Sequence, residues 1–333
     1  MPVAYRIRNS VKWCFIALAI LFGETCTTSS SSSRESDGGV SPPTTRSDGA
    51  ALLYTPASPA SAQNAQFSPD GQTLLFTLFH NGYNAGPAGL FKLSLATLKA
   101  TPLFDEPDHD AVNFPSFGWN ATAGRIAFAS DRQDKTEIWT ISSDGSDPRR
   151  VTHHDDTSAW QEPSFSPNGN SLAFEIAPAS GNHSIASIHS DGTGLAKLTD
   201  STCDDRQPNW SPHGDRLVFQ RRCAGDAANL FTIVADGSDV RPVTTPGTGD
   251  HSDATFMPDG RIVFSSTFGG LKNPKIFIIA AGGGTPTAVT RAADTKDYAP
   301  SPSADGKWIA FESTRGADES PSALWRVAAP GGK

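Results

Sequence analysis

In this chain of 333 residues, acidic and histidine side chains cluster at equivalent positions of a repeating sequence pattern. Each cluster lies in the connection between the last segment of one sequence repeat and the first segment of the next. The clusters are Asp108-His109-Asp110, His153-His154-Asp155-Asp156, Asp204-Asp205-Arg206, Asp250-His251-Ser252-Asp253, Asp294 and Asp297-Tyr298. Carboxylates collected around one opening would attract a cationic ligand, a divalent metal or a basic segment of a partner protein.

The candidate binding residues stand immediately before, or at the start of, the segments that contain Pro. The predicted set is Trp160, Gln161, Glu162, Asp205, Arg206, Gln207, His251, Asp253, Asp297 and Tyr298, with Arg132 and Arg315 nearby. The alternative for each Asp is the capping of a turn, and for each Arg a salt bridge to a loop Asp. No catalytic residue is predicted, and the only cofactor left open is a divalent metal.

A competing hypothesis is a metal-assisted lyase or hydrolase that acts on polysaccharide, and it depends on histidines that share one face. These are His109, His153, His154 and His251. Adjacent side chains of an extended chain diverge, and His-x-His and His-Glu-x-x-His spacings are absent from the sequence, so a metal pair at His153 and His154 is disfavoured. The sequence also contains neither a Gly-x-Ser-x-Gly elbow nor a Gly-x-x-x-x-Gly-Lys phosphate loop. We therefore favour a binding protein.

The elements that position these clusters repeat at a nearly fixed interval. The repeat is marked by a turn glycine, at Gly71, Gly124, Gly169, Gly214, Gly260 and Gly306, with successive gaps of 53, 45, 45, 46 and 46 residues. An apolar strand ending in Phe follows each glycine, as in Leu172-Ala173-Phe174. A period in the forties with several short strands is typical of a β-propeller blade, and long helical periodicity is absent.

Each repeat contains the pieces of a four-stranded blade. In the third repeat residues 163–166 predict an inner strand, Pro167-Asn168-Gly169 a turn and residues 171–175 a second strand. An apolar third strand and a polar fourth strand, exemplified by residues 137–141 and 149–152, complete the unit. Charge on the fourth strand, and Pro242 in one copy of it, suit an outer edge.

The two ends of the array predict how the ring closes. The last repeat lacks a fourth strand, whereas an unassigned strand at residues 51–55 precedes the first repeat. We expect this strand to complete the sixth blade, giving an all-β, six-bladed propeller over residues 50–330. Deletion of residues 50–56 should then lower the melting temperature by several degrees.

The N-terminal segment predicts export. Arg6, Arg8 and Lys12 precede an apolar run of eleven residues, 13–23, which is too short to span a bilayer comfortably and fits a signal peptide over residues 1–25. Residues 26–49 form a polar, Ser-rich tether whose first residue, Cys26, resembles the lipidated cysteine of bacterial lipoproteins. The expected location is the periplasm or the outer membrane with attachment through Cys26. Ordinary cleavage with secretion, or a retained anchor, are the alternatives.

Charge and cysteine content narrow the function further. Removal of residues 1–25 leaves 24 basic and 34 acidic residues, a net charge of −10, with no basic stripe, so nucleic-acid binding is not expected. An exported protein favours a disulfide between Cys203 and Cys223, which the blade topology brings to one face. Two free buried thiols are the alternative. We expect a monomer.

The repeat resembles that of the TolB-like propellers. The resemblance rests on Pro163-Ser164-Phe165-Ser166-Pro167-Asn168-Gly169 with Leu172-Ala173-Phe174, on Phe128-Ala129-Ser130-Asp131-Arg132, and on the looser Phe311-Glu312-Ser313-Thr314-Arg315. It covers residues 51–328. It implies an exported six-bladed propeller that binds an envelope protein or small ligand at one end of its channel. TolB itself has an additional N-terminal α/β domain, where this chain has only the tether.

Overall fold

The structure, a computed structural model, describes residues 46–105, 113–114, 118–200, 202–314 and 322–331. These belong to one compact unit, Pro42–Lys333. The predicted signal peptide, most of the tether with Cys26, and the candidate residues His109 and Arg315 lie outside the described residues.

Twenty-five strands account for the regular structure of the described residues, and they divide into six blades. The chain begins with β1 (Ala51–Tyr54). Blade 1 follows with β2 (Ser61–Phe67), β3 (Thr73–Phe79), β4 (Ala88–Ser94) and β5 (Ala100–Phe104). Blade 2 has an inner strand in two pieces, β6 (Asn113–Phe114) and β7 (Trp119–Asn120), then β8 (Arg125–Ser130), β9 (Glu137–Ser142) and β10 (Arg149–Arg150). Blade 3 comprises β11 (Ala159–Phe165), β12 (Ser171–Ala177), β13 (Ser184–His189) and β14 (Ala196–Lys197). Blade 4 comprises β15 (Asp204–Trp210), β16 (Arg216–Arg222), β17 (Asn229–Val234) and β18 (Arg241–Pro242). Blade 5 comprises β19 (His251–Phe256), β20 (Ile262–Ser266), β21 (Lys275–Ile279) and β22 (Thr287–Ala288). Blade 6 comprises β23 (Asp297–Pro302), β24 (Trp308–Ser313) and β25 (Ala323–Ala328), together with β1.

The six-bladed propeller and its closure by the N-terminal strand are confirmed. Strand β1 pairs antiparallel with β25, with Ala51 opposite Arg326 and Leu52 opposite Trp325. Blade 6 therefore contains strands from both ends of the propeller, which removes two exposed sheet edges.

The core lies between the blades, where the second and third strands of neighbouring sheets pack together. The Phe that ends the apolar motif of each second strand is 0% exposed in all six copies, which are Phe76, Phe128, Phe174, Phe219, Phe264 and Phe311. Burial of an aromatic side chain of this size stabilises the fold by about 2 kcal/mol, so the repeated Phe is a repeated core contact.

A threonine fixes the short fourth strand in four blades. The Oγ1 atoms of Thr152, Thr199, Thr244 and Thr290 accept hydrogen bonds from a third-strand N–H of the same blade at 2.8–3.0 Å. This contact anchors the chain just past each of these fourth strands, which pair over only two residues.

The ends of the blades define two faces. The "mouth face" carries the connections from each fourth strand to the next inner strand and the loops between second and third strands. The "turn face" carries the Pro-Asp-Gly type and Asp-Gly turns at the other end. In the described part of the chain, no helix is long and apolar enough to cross a membrane.

The inner strands begin earlier than the sequence predicts. Trp160, Gln161 and Glu162 lie inside β11, and Gln207 lies inside β15, rather than before these strands. The register shifts in the inner strands of blades 1, 3, 4, 5 and 6 show a bulge at the same position in each. A bulge leaves a residue out of the ladder, so a strand can continue through Pro163 and Pro208, which the sequence pattern marked as strand starts.

Candidate functional site at the mouth of the channel

The bulges direct one side chain from each of five blades into the central channel. The bulge residues have a left-handed backbone, with φ between 46° and 54°, and they are Asn64, Glu162, Gln207, Asp253 and Ala299. All five line one narrow cavity, together with Ala65 and Asn209. The cavity offers about 20 Å³ to the centre of a water molecule, which is room for about one water.

Two of the bulge residues are joined across neighbouring blades. Gln207 Nε2 donates to Asp253 Oδ1 at 2.9 Å, and the backbone N–H of Asp253 donates to Gln207 Oε1 at 3.0 Å. Ser252 Oγ donates to the other carboxylate oxygen of Asp253 at 2.9 Å. The Asp253 carboxylate is therefore held in one orientation at the channel wall.

Asn209 presents an unsatisfied oxygen in the same cavity. Its side chain is 2% exposed, and its Nδ2 donates to the carbonyl oxygen of Ala254 at 2.8 Å. Its Oδ1 is buried and has no hydrogen-bond partner among the described residues. A buried amide oxygen without a hydrogen-bond partner destabilises the fold by about 1–3 kcal/mol. A hydrogen bond from a ligand or an ordered water would remove this cost.

Glu312, on the second strand of blade 6, is a buried acid beside this ring. It is 3% exposed, and its carboxyl accepts hydrogen bonds from the Asn64 backbone N–H at 3.0 Å and from the Tyr83 hydroxyl at 2.9 Å. Burial, together with the nearby charge of Asp253, raises the pKa of Glu312 to about 7, although the two hydrogen bonds act to lower it. Near neutral pH this group is therefore divided between its protonated and ionised forms.

Two tyrosines frame the acidic groups. Tyr83 reaches Glu312 from the loop between β3 and β4, and its ring remains 44% exposed although its hydroxyl turns inward. Burial raises the pKa of Tyr298 to about 12, with the negative charges of Asp253, Glu312 and Asp250 contributing. The candidate site therefore comprises neutral tyrosines around a cluster of carboxyl groups.

Glu175 shows that the Glu312 contact is a repeated device. Glu175 directly follows Phe174, the buried Phe of β12, as Glu312 follows Phe311 in β24. The Glu175 carboxylate accepts a hydrogen bond from the backbone N–H of bulge residue Gln207 at 3.2 Å. It also accepts Gln161 Nε2 at 2.8 Å. A glutamate at this strand position caps the bulge of the next blade.

Four predicted site residues are buried within or between the blades and do not line the cavity. They are Trp160, Asp205, His251 and Asp297, which are 0–6% exposed and stand two residues before the bulge residues. Trp160 stacks on His154 and Phe174, with ring centroids 4.9 and 5.1 Å apart. Asp205 accepts two hydrogen bonds from Arg221, at 2.6 and 2.8 Å. Trp160 therefore packs in the hydrophobic core, and Asp205 pairs with the second strand of its own blade.

The other two residues of this group, His251 and Asp297, are likewise buried and hydrogen-bonded. His251 Nδ1 lies 2.7 Å from Ser266 Oγ, and burial lowers the pKa of His251 to about 4. Asp297 Oδ1 accepts the Ser313 hydroxyl at 2.6 Å. Both side chains are enclosed by their own blades' second strands.

The other predicted residues divide between the channel and local contacts. Glu162, Gln207 and Asp253 line the cavity, and Tyr298 adjoins it. Gln161 is buried against Glu175, and Arg206 Nε pairs with Asp204 at 2.8 Å. The guanidinium of Arg132 lies over the Phe104 and Trp139 rings, at 4.6 and 5.3 Å.

Sequence reasoning missed Asn64, Asn209, Tyr83 and Glu312. A usable signal existed for Glu312, because a glutamate follows the buried Phe of an otherwise apolar strand. Tyr83 gave no signal, since its loop belongs to blade 1 and its partner to blade 6.

The histidines of the metal hypothesis do not converge within the described ranges. His154 is stacked on Trp160 and His251 is enclosed near Phe264, while His153 is exposed. Over the part of the chain that the structure covers, no group of three or more His, Cys, Asp or Glu side chains is arranged to hold a metal ion.

Cys203 and Cys223 form a disulfide in the structure, with their Cα atoms 4.6 Å apart. Cys203 stands directly before β15 and Cys223 directly after β16. The bond therefore ties two mouth-face segments of blade 4 beside the channel.

Comparison with known proteins agrees with the geometry. The family model for the TolB beta propeller domain matches residues 54–250. A TolB-type protein from Agrobacterium tumefaciens has a similar structure, with a TM-score of 0.61, 20% identity, and coverage of 82% of this chain and 92% of that one. TolB from Acinetobacter baumannii gives 0.58 and 16%, covering 82% of this chain and 64% of that one, so this chain spans less than two thirds of its length.

A third similar structure has a different activity. Oligogalacturonate lyase from Vibrio parahaemolyticus has a TM-score of 0.56 and 14% identity, with 87% of this chain and 96% of that one covered. Identities this low establish a shared fold alone. The family match spans more than half of the sequence and covers blades 1 to 4, and the chain therefore belongs to the TolB β-propeller domain family.

Proposed function

We propose that this protein is an exported binding protein of the cell envelope whose acidic channel mouth binds a basic segment of a partner protein or a small cationic ligand. The observation that carries the proposal is the composition of the cavity. Glu162 and Asp253, from blades 3 and 5, both line this cavity, and no Lys, Arg or His is among its described lining residues.

The electrostatics of the opening support a cationic guest. A narrow opening with low-dielectric walls concentrates the potential of the carboxylates within it. Tyr83 and Tyr298 stand at this rim, and tyrosine supplies an apolar face together with a hydroxyl, a combination common at protein interfaces.

Export and attachment belong to the same proposal. The N-terminal signal, the Cys26 tether and a disulfide at Cys203 and Cys223 all suit an oxidising envelope compartment. We propose the periplasm or the outer membrane, with lipid on Cys26, and secretion of the free protein as the alternative. Mass spectrometry of the mature N-terminus distinguishes them, because lipidation adds the mass of acyl chains at Cys26.

The lyase or hydrolase hypothesis receives less support. It relied on convergent histidines, and those that the structure describes are separated. The likeness to oligogalacturonate lyase is one of fold, so it transfers neither an activity nor a metal site.

The test is a binding comparison between charge-matched peptides on the full mature protein. Fluorescent peptides of equal length, one basic, one neutral and one acidic, are titrated and followed by anisotropy at low and high salt. We expect the basic peptide to bind most tightly and to weaken at high salt, because exposed charges are screened. Glu162→Gln with Asp253→Asn should weaken it about tenfold, corresponding to about 1.4 kcal/mol.

The control carries the same change of charge on the turn face. Asp144→Asn with Asp236→Asn alters two exposed turn residues and should leave binding unchanged. Equal binding of the three peptides, or equal loss in the two double variants, would contradict the proposed function.

A further inference from the structure

We propose that the cavity lined by the bulge residues is a receptor for a single primary ammonium group, such as the side chain of a lysine in a partner segment. This inference rests on the proposed function and specifies the chemistry of the same site. It follows from the size, the oxygen atoms and the charge of the cavity at the bulge residues.

Size limits the guest to a group of about the dimensions of water. The room is about 20 Å³, and small side chains, Ala65 and Ala299, form part of the wall. An alkylammonium head is compact and comparable to water. A guanidinium is planar and wider, with five donors in a fixed fork, so the cavity discriminates against arginine.

The unsatisfied oxygen of Asn209 indicates that the guest donates hydrogen bonds. Asn209 lines the cavity, and its Oδ1 is buried without a partner in the described chain, while its Nδ2 is committed to Ala254. The amide of Gln207 is likewise committed, with Nε2 and Oε1 both bonded to Asp253. An ammonium has three donors and no acceptor, which matches a wall rich in acceptors.

Charge distinguishes an ammonium from an ordered water. Glu162 and Asp253 bring carboxylates to the same cavity, and none of its described lining residues is a cation. A cation that also forms hydrogen bonds with these half-buried carboxylates gains a charge-assisted contact, whereas water carries no charge. Calcium requires six to eight oxygen ligands, and the described residues contain no group of three or more metal-binding side chains.

The experiment compares peptides that differ at one residue in a neutral sequence with blocked termini. The central residue is lysine, arginine, Nε-trimethyllysine or glutamine, and binding to the full mature protein is measured by anisotropy. We expect lysine to bind at least about tenfold more tightly than arginine or trimethyllysine, since trimethylation retains the charge and removes the three donors.

A substitution at Asn209 tests the unsatisfied oxygen. Asn209→Ser uses the residue that the chain itself carries at the equivalent strand positions Ser164 and Ser301, so the fold should tolerate it. The preference for lysine over arginine should fall below about threefold. Asn120→Ser is the matched control, because Asn120 also donates to carbonyls of the next blade but does not line this cavity.

Competition by n-butylammonium distinguishes two ligands that carry the same ammonium group, a free amine and a lysine side chain of a partner protein. Binding of the amine as tight as that of the lysine peptide would identify a free amine, and much weaker binding would identify a lysine within a partner. Equal binding of lysine, arginine and trimethyllysine peptides would overturn the ammonium receptor and leave the proposed function intact. One-to-one binding of Ca²⁺ that expels the lysine peptide would overturn it in favour of a metal site. Failure of every basic peptide would remove the proposed function itself.

Discussion

The Tyr83 hydroxyl of blade 1 donates a hydrogen bond of 2.9 Å to the Glu312 carboxyl of blade 6. This contact crosses the junction at which the ring closes, and it covers a buried acid whose pKa is raised to about 7. The mouth of the channel is thus linked to the closure of the propeller.

Removal of that hydroxyl should change the titration of Glu312. The hydrogen bond favours the ionised carboxylate, so Tyr83→Phe is expected to raise the pKa of Glu312 further. Carboxyl-selective NMR titration measures the change directly. Tyr54→Phe, which alters a tyrosine away from Glu312, is the control, and an unaltered Glu312 titration in Tyr83→Phe would contradict the assigned contact.

Glu312 and His251 should impose opposite pH dependences on stability. The pKa of Glu312 is raised from 4.5 to about 7, so the folded state binds the extra proton and loses this stability as pH rises through that window. The pKa of His251 is lowered from 6.5 to about 4, so its contribution is lost as pH falls from 6.5 towards 4. The two slopes oppose each other over most of the same range.

Single substitutions should expose each slope. Between pH 5 and pH 6.5, urea unfolding of Glu312→Gln should show stability rising with pH, and His251→Gln should show it falling, each by about 1–2 kcal/mol. Parallel pH profiles for the two variants would be inconsistent with the burial of either group.

The disulfide should stabilise blade 4. Cross-linking Cys203 to Cys223, which are 20 residues apart, restricts the unfolded chain and is worth about 3 kcal/mol by the chain-entropy account. Cys203→Ser with Cys223→Ser should lower the free energy of unfolding by about that amount. Thiol titration of denatured, unreduced mature protein should find neither cysteine free, and two free thiols there would reject the bridge.

The N-terminal strand should be required for full stability. Leu53 of β1 is 4% exposed and packs in the core. Deletion of residues 50–56 would leave the edge of β25 unpaired and would remove the core contacts of Leu53. We expect calorimetry to show that this deletion lowers the melting temperature by several degrees relative to the intact protein. Deletion of residues 34–40, equal in length, should leave the melting temperature unchanged, and the same result for residues 50–56 would contradict the closure.

The sequence by itself determined the architecture, because the architecture depends on local and periodic features. The glycine period, the buried Phe of each second strand and the Thr that follows the fourth strand of blades 2 to 5 repeat in register with the blades. The missing last strand and the extra first strand were sufficient to predict that β1 pairs with β25.

Only the tertiary structure decided which side chains face the channel. In an alternating strand, positions two residues apart point to the same side, so Asp205 and Gln207 look equivalent in sequence. The left-handed backbone at each bulge breaks this alternation, and it places Gln207 in the channel while Asp205 stays buried against Arg221 of its own blade. Tyr83 meets Glu312, 229 residues away, because ring closure brings the first and last blades together.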